Sequence, residues 1–243
     1  MSKKAKIFIG YLIIIHILLI IILFKPNLVP KAQSKLSGIM KNETEIIPRY
    51  YDIKHYNMML MVHKWMDNSV PDDAVIFIGD SITQGLVVSN VSPKSVNFGI
   101  ASDTTFGLLE RLPDYNSFSR AKAIVLAIGV NDLRARDNNS IVENYKIILN
   151  GLPSNVPIIA SAVLPIDETI RINTSNNRIS RLNVALSSLS ENYKNVRFIN
   201  PSKQLMDLEN NLSDSYHTGD GLHLNAKGYK IWVNELIKAL KNT

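Results

Sequence analysis

Cysteine is absent from the 243 residues of this chain. Its absence excludes disulfide bonds, thiolate nucleophiles and the cysteine-based zinc sites of short metal-binding motifs. The five histidines are scattered, and no two of them have the four-residue spacing that places both imidazoles on one helical face. We therefore expect neither a metal centre nor any other cofactor.

The body of the chain also lacks an excess of positive charge. The formal net charge is +6, but every charged residue up to Lys41 is a lysine, and the seven lysines of this stretch account for the excess. The remaining residues carry 20 basic and 21 acidic side chains. Such a nearly neutral body gives no electrostatic support to nucleic-acid binding. The hydrophobic fraction of 46% and the charged fraction of 20% are those of a folded protein.

An almost unbroken apolar run occupies residues 7–24. Its length reaches the ~17–25 residues of a membrane-spanning helix and exceeds the ~7–15 residues of a signal-peptide core. We therefore expect an uncleaved signal-anchor at 7–24, preceded by a short basic tail at 1–6 and followed by a stalk at 25–48. Lysines flank the run on both sides, so charge alone does not set the orientation. The short tail before a large domain at 49–243 favours an extracytoplasmic domain.

From residue 49 onward, short apolar runs alternate with stretches of helical periodicity. The apolar runs have the length of strands and lie at 74–78, 95–99, 123–128, 156–163 and 196–199. The helical stretches lie at 50–65, 104–112, 141–149, 178–193 and 227–240. This alternation predicts an α/β fold with a parallel sheet that is covered on both faces. In such folds ligands bind beyond the carboxyl ends of the strands.

Residues suited to acyl transfer follow these apolar runs. Ser81 comes just after the first run, and Asp220 and His223 precede the last helical stretch. A serine hydroxyl becomes a nucleophile when an adjacent base takes its proton, and imidazole suits this task because its pKa lies near neutrality. The three-residue spacing lets one loop deliver the base together with the carboxylate that orients it. We therefore assign Ser81 as nucleophile, His223 as base and Asp220 as the orienting acid.

An oxyanion forms on the attacked carbonyl and requires preorganised hydrogen-bond donors. Each such donor is worth about 2.7–4 kcal/mol at the transition state. The candidates are the backbone N–H groups of Ser81 and Gly99 and the side-chain amide of Asn131. Gly99 follows an apolar run and has no side chain, so its N–H group can approach a substrate closely.

Three ionisable residues near these candidates are assigned structural roles. We interpret Asp80 and Asp132 as carboxylates that brace their loops. His217 is expected to be a rim residue of the loop that also carries His223.

Four short blocks of the sequence occur in a familiar order. They are Gly79-Asp80-Ser81, Asn97-Phe98-Gly99, Gly129-Val130-Asn131-Asp132 and Asp220-Gly221-Leu222-His223. Together they resemble the blocks of the SGNH hydrolases, the GDSL esterase/lipase superfamily, over roughly residues 75–240. The resemblance implies a flavodoxin-like, three-layer α/β/α sandwich with a parallel sheet and a metal-free Ser–His–Asp triad. The stretch 97–112 is similar to the small lysophospholipase and platelet-activating-factor acetylhydrolase-like branch.

The resemblance also carries over the site residues. Ser81, Gly99, Asn131 and His223 match the four name-giving positions of the superfamily, and Asp220 completes the triad. The residue after Gly79-Asp80-Ser81 is Ile82, a conservative replacement for the usual leucine.

The function that these residues favour is a serine esterase that acts through an acyl-enzyme. The chain has no long insertion that would build a deep lid, which favours a small acyl group such as acetyl. A membrane tether suits O-acetyl groups of cell-envelope glycans, or lysolipids, as substrates. An O-acyltransferase would use the same residues, so the sequence leaves this alternative and a lysophospholipase open. A non-catalytic binding module would have lost at least one block, and all four are intact.

Overall fold

The computed structural model describes residues 53–242. Its five strands form one parallel sheet in the order β2-β1-β3-β4-β5, which is the order of flavodoxin-like doubly wound sheets. The strands are β1 Val75–Gly79, β2 Ser95–Gly99, β3 Ala123–Ala127, β4 Ile158–Ser161 and β5 Val196–Ile199. The prediction of an α/β fold with a parallel sheet is therefore confirmed.

The two central strands explain why the sequence pattern was readable. All five residues of β1 and of β3 are buried. A parallel strand covered on both faces needs apolar side chains at every position, which produces an unbroken apolar run. Because β1 lies between β2 and β3, the strand order reverses there, and a crevice opens beyond the carboxyl ends of β1 and β3.

The strand β4 is shorter than the apolar run that predicts it. Pro157 precedes the strand and has no N–H group to donate to a ladder. At the other end, the N–H group of Val163 donates to the Asn183 side chain at 2.9 Å instead of to a neighbouring strand. Run length alone therefore overestimates the strand at both ends.

Seven α-helices lie within the described residues. They are α1 Ile53–Asp67, α2 Ser81–Gln84, α3 Thr105–Arg111, α4 Asn138–Gly151, α5 Asn176–Ser190, α6 Ser202–Leu205 and α7 Ala226–Leu240. The longer helices α4, α5 and α7 begin at side-chain caps, Asp137, Ser175 and Asn225, which accept hydrogen bonds from N–H groups of the first turn. Helices α3, α4 and α5 pack against one another in succession, and α7 packs on β4 and β5. The result is an α/β sandwich.

The predicted signal-anchor at 7–24 and the stalk at 25–48 lie outside the described residues. Between residues 53 and 242, no helix combines the length and the apolar character that crossing a membrane requires.

Candidate active site

Ser81 is the first residue of α2 and lies directly beyond the carboxyl end of β1. Asp80 caps this helix, because its Oδ1 atom accepts a hydrogen bond from the Ile82 N–H group at 3.0 Å. A Cβ atom on Gly79 would lie 2.0 Å from the carbonyl oxygen of Ala127 on β3. Only glycine therefore allows the end of β1 to lie this close to β3. The turn that follows places the Ser81 hydroxyl at the crevice.

Ser81, His223 and Asp220 form one chain of hydrogen bonds. The Nε2 atom of His223 lies 2.9 Å from Ser81 Oγ, and its Nδ1 atom lies 2.5 Å from Asp220 Oδ2. The carboxylate places the imidazole proton on Nδ1, so the Nε2 lone pair faces the serine hydroxyl. Ser81 and His223 are 142 positions apart in the sequence, yet they meet at a distance suited to proton transfer.

The carboxylate of Asp220 is held from several directions. Its Oδ1 atom accepts from the backbone N–H groups of Leu222 at 3.1 Å and His223 at 2.9 Å. Arg171 donates from Nη2 to Oδ2 at 2.9 Å and from Nε to the Asp220 carbonyl at 2.6 Å. Burial acts to raise the pKa of Asp220, but the hydrogen bonds from the His223 side chain and from the two backbone N–H groups outweigh it and lower the pKa. Asp220 is therefore ionised.

His217 differs from its sequence-based expectation, because it is buried and does not lie on the rim. Its Nδ1 atom accepts hydrogen bonds from the N–H groups of Gly219 at 2.9 Å and Gly221 at 3.2 Å. The ring proton therefore lies on Nε2, which faces Asp214 at 3.1 Å and Asp167 at 3.7 Å. Gly221 has a φ of +72°, a conformation that favours glycine. His217 thus holds the tight turn that presents the Asp220 carboxylate.

Asp167, Asp214 and His217 are also the one group within the described part of the chain whose possible metal ligands lie within 4.8 Å of one another. Hydrogen bonding of the His217 ring accounts for this proximity, and Asp214 is 92% exposed.

The three expected oxyanion donors have different surroundings. Ser81 stands at the start of α2, where a helix leaves its N–H groups without intrahelical partners. Asn131 donates one N–H to the Asp103 carbonyl at 3.0 Å and, as a primary amide, has a second. The Gly99 N–H donates to Asn97 Oδ1 at 2.9 Å. To act as an oxyanion donor, the Gly99 N–H group would have to exchange Asn97 Oδ1 for a substrate oxygen. This role of Gly99 stays a prediction.

The structure gives a further reason for glycine at position 99. A Cβ atom there would lie 2.4 Å from the backbone nitrogen of Gln84 at the end of α2. Asn97 ties the same segment to β2, because its Nδ2 atom donates to the carbonyls of Thr83 at 2.7 Å and Leu86 at 3.0 Å. Close packing of α2 on β2 therefore requires glycine at this position.

Arg111 is a supporting residue that sequence reasoning missed. Its side chain is fully buried and pairs with Asp103 at 2.9 Å. The same guanidinium donates to the carbonyls of Gly79 at 3.2 Å and Phe98 at 3.0 Å, which belong to two of the sequence blocks. One cation thus ties together the carboxyl ends of β1 and β2. The only local signal is its position three residues after Leu108, which is itself fully buried.

The other two carboxylates brace their loops, in agreement with the sequence-based interpretation. Asp132 accepts from the N–H group of Thr105 at 2.9 Å, from its hydroxyl at 2.6 Å, and from Arg136 at 3.2 Å. Asp80 caps α2 from a fully buried position. Burial raises the pKa of Asp80 to about 7, against the opposing effect of the Ile82 N–H group.

A cavity of about 180 Å³ lies beside the hydrogen-bonded chain. Asn131 forms part of its wall, as do Arg171 and Leu222, both of which contact Asp220. Most of its other lining residues are aliphatic, and Ile172 is 83% exposed. The arrangement offers a nucleophile, a base with its carboxylate and an amide donor, and the amide donor also lines a small, mainly apolar cavity.

Comparisons with known proteins agree with this geometry. Residues 77–231, more than half of the chain, match the GDSL-like Lipase/Acylhydrolase family. A Streptococcus pneumoniae protein, provisionally named a platelet activating factor, is 25% identical with a TM-score of 0.72 over 85% of this chain and 99% of its own. A lipase/acylhydrolase from Enterococcus faecalis is 22% identical with a TM-score of 0.62, over 70% of this chain and 96% of its own. Axe2, an acetylxylan esterase from Geobacillus stearothermophilus, is 17% identical with a TM-score of 0.57, over 69% of this chain and 94% of its own.

None of the curated proteins matches this sequence. The chain therefore belongs to the GDSL-like lipase/acylhydrolase family, whose SGNH sequence blocks it carries, and it is a carboxylic ester hydrolase.

Proposed function

We propose that this protein is a membrane-anchored serine esterase that hydrolyses short acyl esters, above all acetyl esters, through an acyl-enzyme on Ser81. The observation that carries the proposal is the unbroken hydrogen-bonded chain from Ser81 Oγ through the His223 ring to Asp220. A serine, an imidazole with its lone pair towards the hydroxyl, and an ionised carboxylate together form a Ser–His–Asp triad.

Acylation begins when Ser81 Oγ attacks the ester carbonyl while His223 Nε2 takes the hydroxyl proton. The imidazolium that forms is stabilised by Asp220, which accepts the Nδ1–H bond and keeps its negative charge. The negative charge that develops on the carbonyl oxygen is stabilised by the N–H group of Ser81 and the free N–H of the Asn131 amide. His223 then donates its proton to the departing alkoxide, and an ester between Ser81 and the acyl group remains.

Deacylation repeats these steps with water in place of the alcohol. His223 Nε2 takes a proton from water, the oxygen of which attacks the acyl-enzyme carbonyl. The same donors stabilise the second oxyanion, and His223 returns the proton to Ser81 as the carboxylic acid leaves. A sugar hydroxyl in place of water would make the reaction an acyl transfer.

Two observations support a short acyl group. The cavity beside the triad has a volume of about 180 Å³, which suits a small substituent rather than a long chain. A structural neighbour of this chain is an acetylxylan esterase. Together with the apolar run at 7–24, these observations favour O-acetylated glycans of the cell envelope, outside the cytoplasm, over lysolipids as substrates.

A chain-length series of p-nitrophenyl esters tests the proposal. We expect acetate to give the highest kcat/KM and Ser81→Ala to lose about 10⁴-fold or more in kcat. Ser119→Ala, which removes an exposed hydroxyl far from the triad in sequence, is the matched control and should behave as wild type. Equal turnover by wild type and Ser81→Ala would refute the serine mechanism. A maximum at long acyl chains would instead support the lysophospholipase, and transfer of acetyl to an added glycan would support the acyltransferase.

A further inference from the structure

Helix α1 has two distinct faces, and one of them is buried against the domain. Tyr56, His63 and Asp67 are buried on this face. Tyr56 Oη donates to the Gly107 carbonyl at 2.9 Å, and His63 Nδ1 lies 2.9 Å from Tyr115 Oη. These contacts fix the helix on the domain with one side turned inward.

The opposite side of α1 presents an apolar stripe to solvent. Met58, Met61 and Trp65 are 59%, 46% and 65% exposed. At 3.6 residues per turn, these positions lie together on the side of the helix opposite Tyr56 and His63. A contiguous apolar stripe of this kind, unlike scattered apolar residues, marks an interaction surface.

Both lysines of α1 lie on its exposed side. The only acid in α1 is Asp67, which is buried, whereas both lysines of the helix, Lys54 and Lys64, are exposed. Lys54 lies within this exposed side, and Lys64 borders it and pairs with Asp114 at 3.2 Å. An amphipathic helix with tryptophan on its exposed apolar side and lysines beside it suits a lipid surface. The chain before α1 carries an excess of basic residues, with seven lysines and Arg49 against Glu43, Glu45 and Asp52.

We propose that the Met58–Met61–Trp65 face of α1 lies on the membrane surface. In this arrangement the tryptophan and the methionines enter the boundary between headgroups and acyl chains. The proposal adds to the proposed anchor at 7–24 a second membrane contact, made by the folded domain itself. A second copy of the chain is a poorer occupant, because a stable dimer buries about 800 Å² on each partner, which three side chains do not supply.

This contact would place the active site close to the bilayer. Tyr56, in the first half of α1, packs against Ile100, which directly follows the carboxyl end of β2. The first half of α1 therefore lies at the same edge of the sheet as Ser81. A domain resting on α1 would keep its substrate cavity beside the membrane surface, where tethered or envelope-bound esters are encountered.

Tryptophan fluorescence provides the test, because the chain has two tryptophans and the second, Trp232, is fully buried. The full-length protein is reconstituted into vesicles of equal parts phosphatidylglycerol and phosphatidylcholine, with either brominated or ordinary acyl chains. The Trp65→Phe variant supplies the Trp232 baseline. We expect brominated chains to reduce the Trp65 contribution by about half or more, since such a helix face enters the boundary by about 5–10 Å. The double variant Met58→Ser/Met61→Ser should float with the vesicles but lose most of this quenching.

The other outcomes separate this proposal from the proposed function. Vesicle flotation without quenching of Trp65 would overturn the α1 contact and leave the anchor and the esterase in place. A protein that does not float would overturn both the anchor and the α1 contact, while its turnover of p-nitrophenyl acetate reports on the esterase separately. Because the chain has no cysteine, Met61→Cys gives a further check. Extensive disulfide-linked dimers without quenching would show that the face binds a second copy.

Discussion

Replacement of Asp220 by asparagine keeps the shape of the side chain and changes one oxygen into an NH₂ group. The amide oxygen can still accept from the N–H groups of Leu222 and His223, so the turn should keep its conformation. The new NH₂ group would face two donors, the His223 Nδ1–H and the Arg171 guanidinium. The imidazole relieves this conflict by moving its proton to Nε2, and it then points a donor instead of a lone pair at Ser81.

The expected loss can be given a magnitude. An asparagine that imposes the wrong tautomer in a Ser–His–Asp triad costs about 10⁴-fold in kcat. At about 1.4 kcal/mol for each factor of ten, this corresponds to about 5 kcal/mol of transition-state stabilisation. Because the pKa of Asp220 is lowered, the wild-type carboxylate is ionised throughout the acidic and neutral assay range, so the loss should be present at every pH tested there.

The assay is kcat and KM for p-nitrophenyl acetate in two backgrounds. In the wild-type background we expect kcat to fall and KM to change little. In the Ser81→Ala background Asp220→Asn should have almost no further effect, because residues that act as a unit are strongly non-additive. A urea unfolding curve close to that of wild type serves as the control for folding. An Asp220→Asn enzyme that folds normally and keeps about a tenth or more of the wild-type kcat would refute the orienting role of this carboxylate.

Two further predictions concern the residues that support the site. Burial raises the pKa of Asp80 from 3.8 to about 7. Between these two pH values the native state binds more protons than the unfolded state, so the free energy of unfolding should fall as the pH rises from 3.8 to about 7. Asp80→Asn keeps a capping oxygen and should remove this fall, which is on the order of a few kcal/mol. The measurement is urea unfolding of wild type and Asp80→Asn at about pH 5 and about pH 8. The same pH dependence in wild type and variant would contradict the raised pKa of Asp80. His217→Leu leaves the N–H groups of Gly219 and Gly221 without an acceptor and should lower kcat about 10- to 100-fold with little change in KM. His217→Asn, which offers an amide oxygen near the position of Nδ1, should recover most of kcat, whereas equal losses in both variants would mean that only the volume of the ring matters.

The strands were predictable because their signal is local. Each residue of β1 and β3 is buried between layers, so the apolar runs could be read without knowing what covers them. The ends of β4 were less predictable, because a proline and a side-chain acceptor from a distant helix stop the ladder there. The family was also readable, since four short blocks of adjacent residues carry it, and the family match confirms it.

The supporting residues of the site were not predictable in the same way. Arg171 contacts Asp220 across 49 positions, and Arg111 contacts Gly79 across 32. Arginine is exposed in most proteins, so nothing local distinguishes one that is buried and paired with distant carbonyls. His217 is a similar case. Its ring accepts hydrogen bonds from the backbone N–H groups of Gly219 and Gly221, and the sequence does not show that these contacts form.

The sequence by itself determined the α/β class, the family and the identity of the candidate residues. It did so because apolar periodicity and short motifs depend on neighbours in the chain. Only the tertiary structure decided which nitrogen of the His223 ring carries the proton and which of the expected oxyanion donors already donate to protein groups. It also decided why Gly99 must be glycine. These properties depend on contacts between segments far apart in the sequence, where differences of a few tenths of an ångström decide whether a hydrogen bond forms.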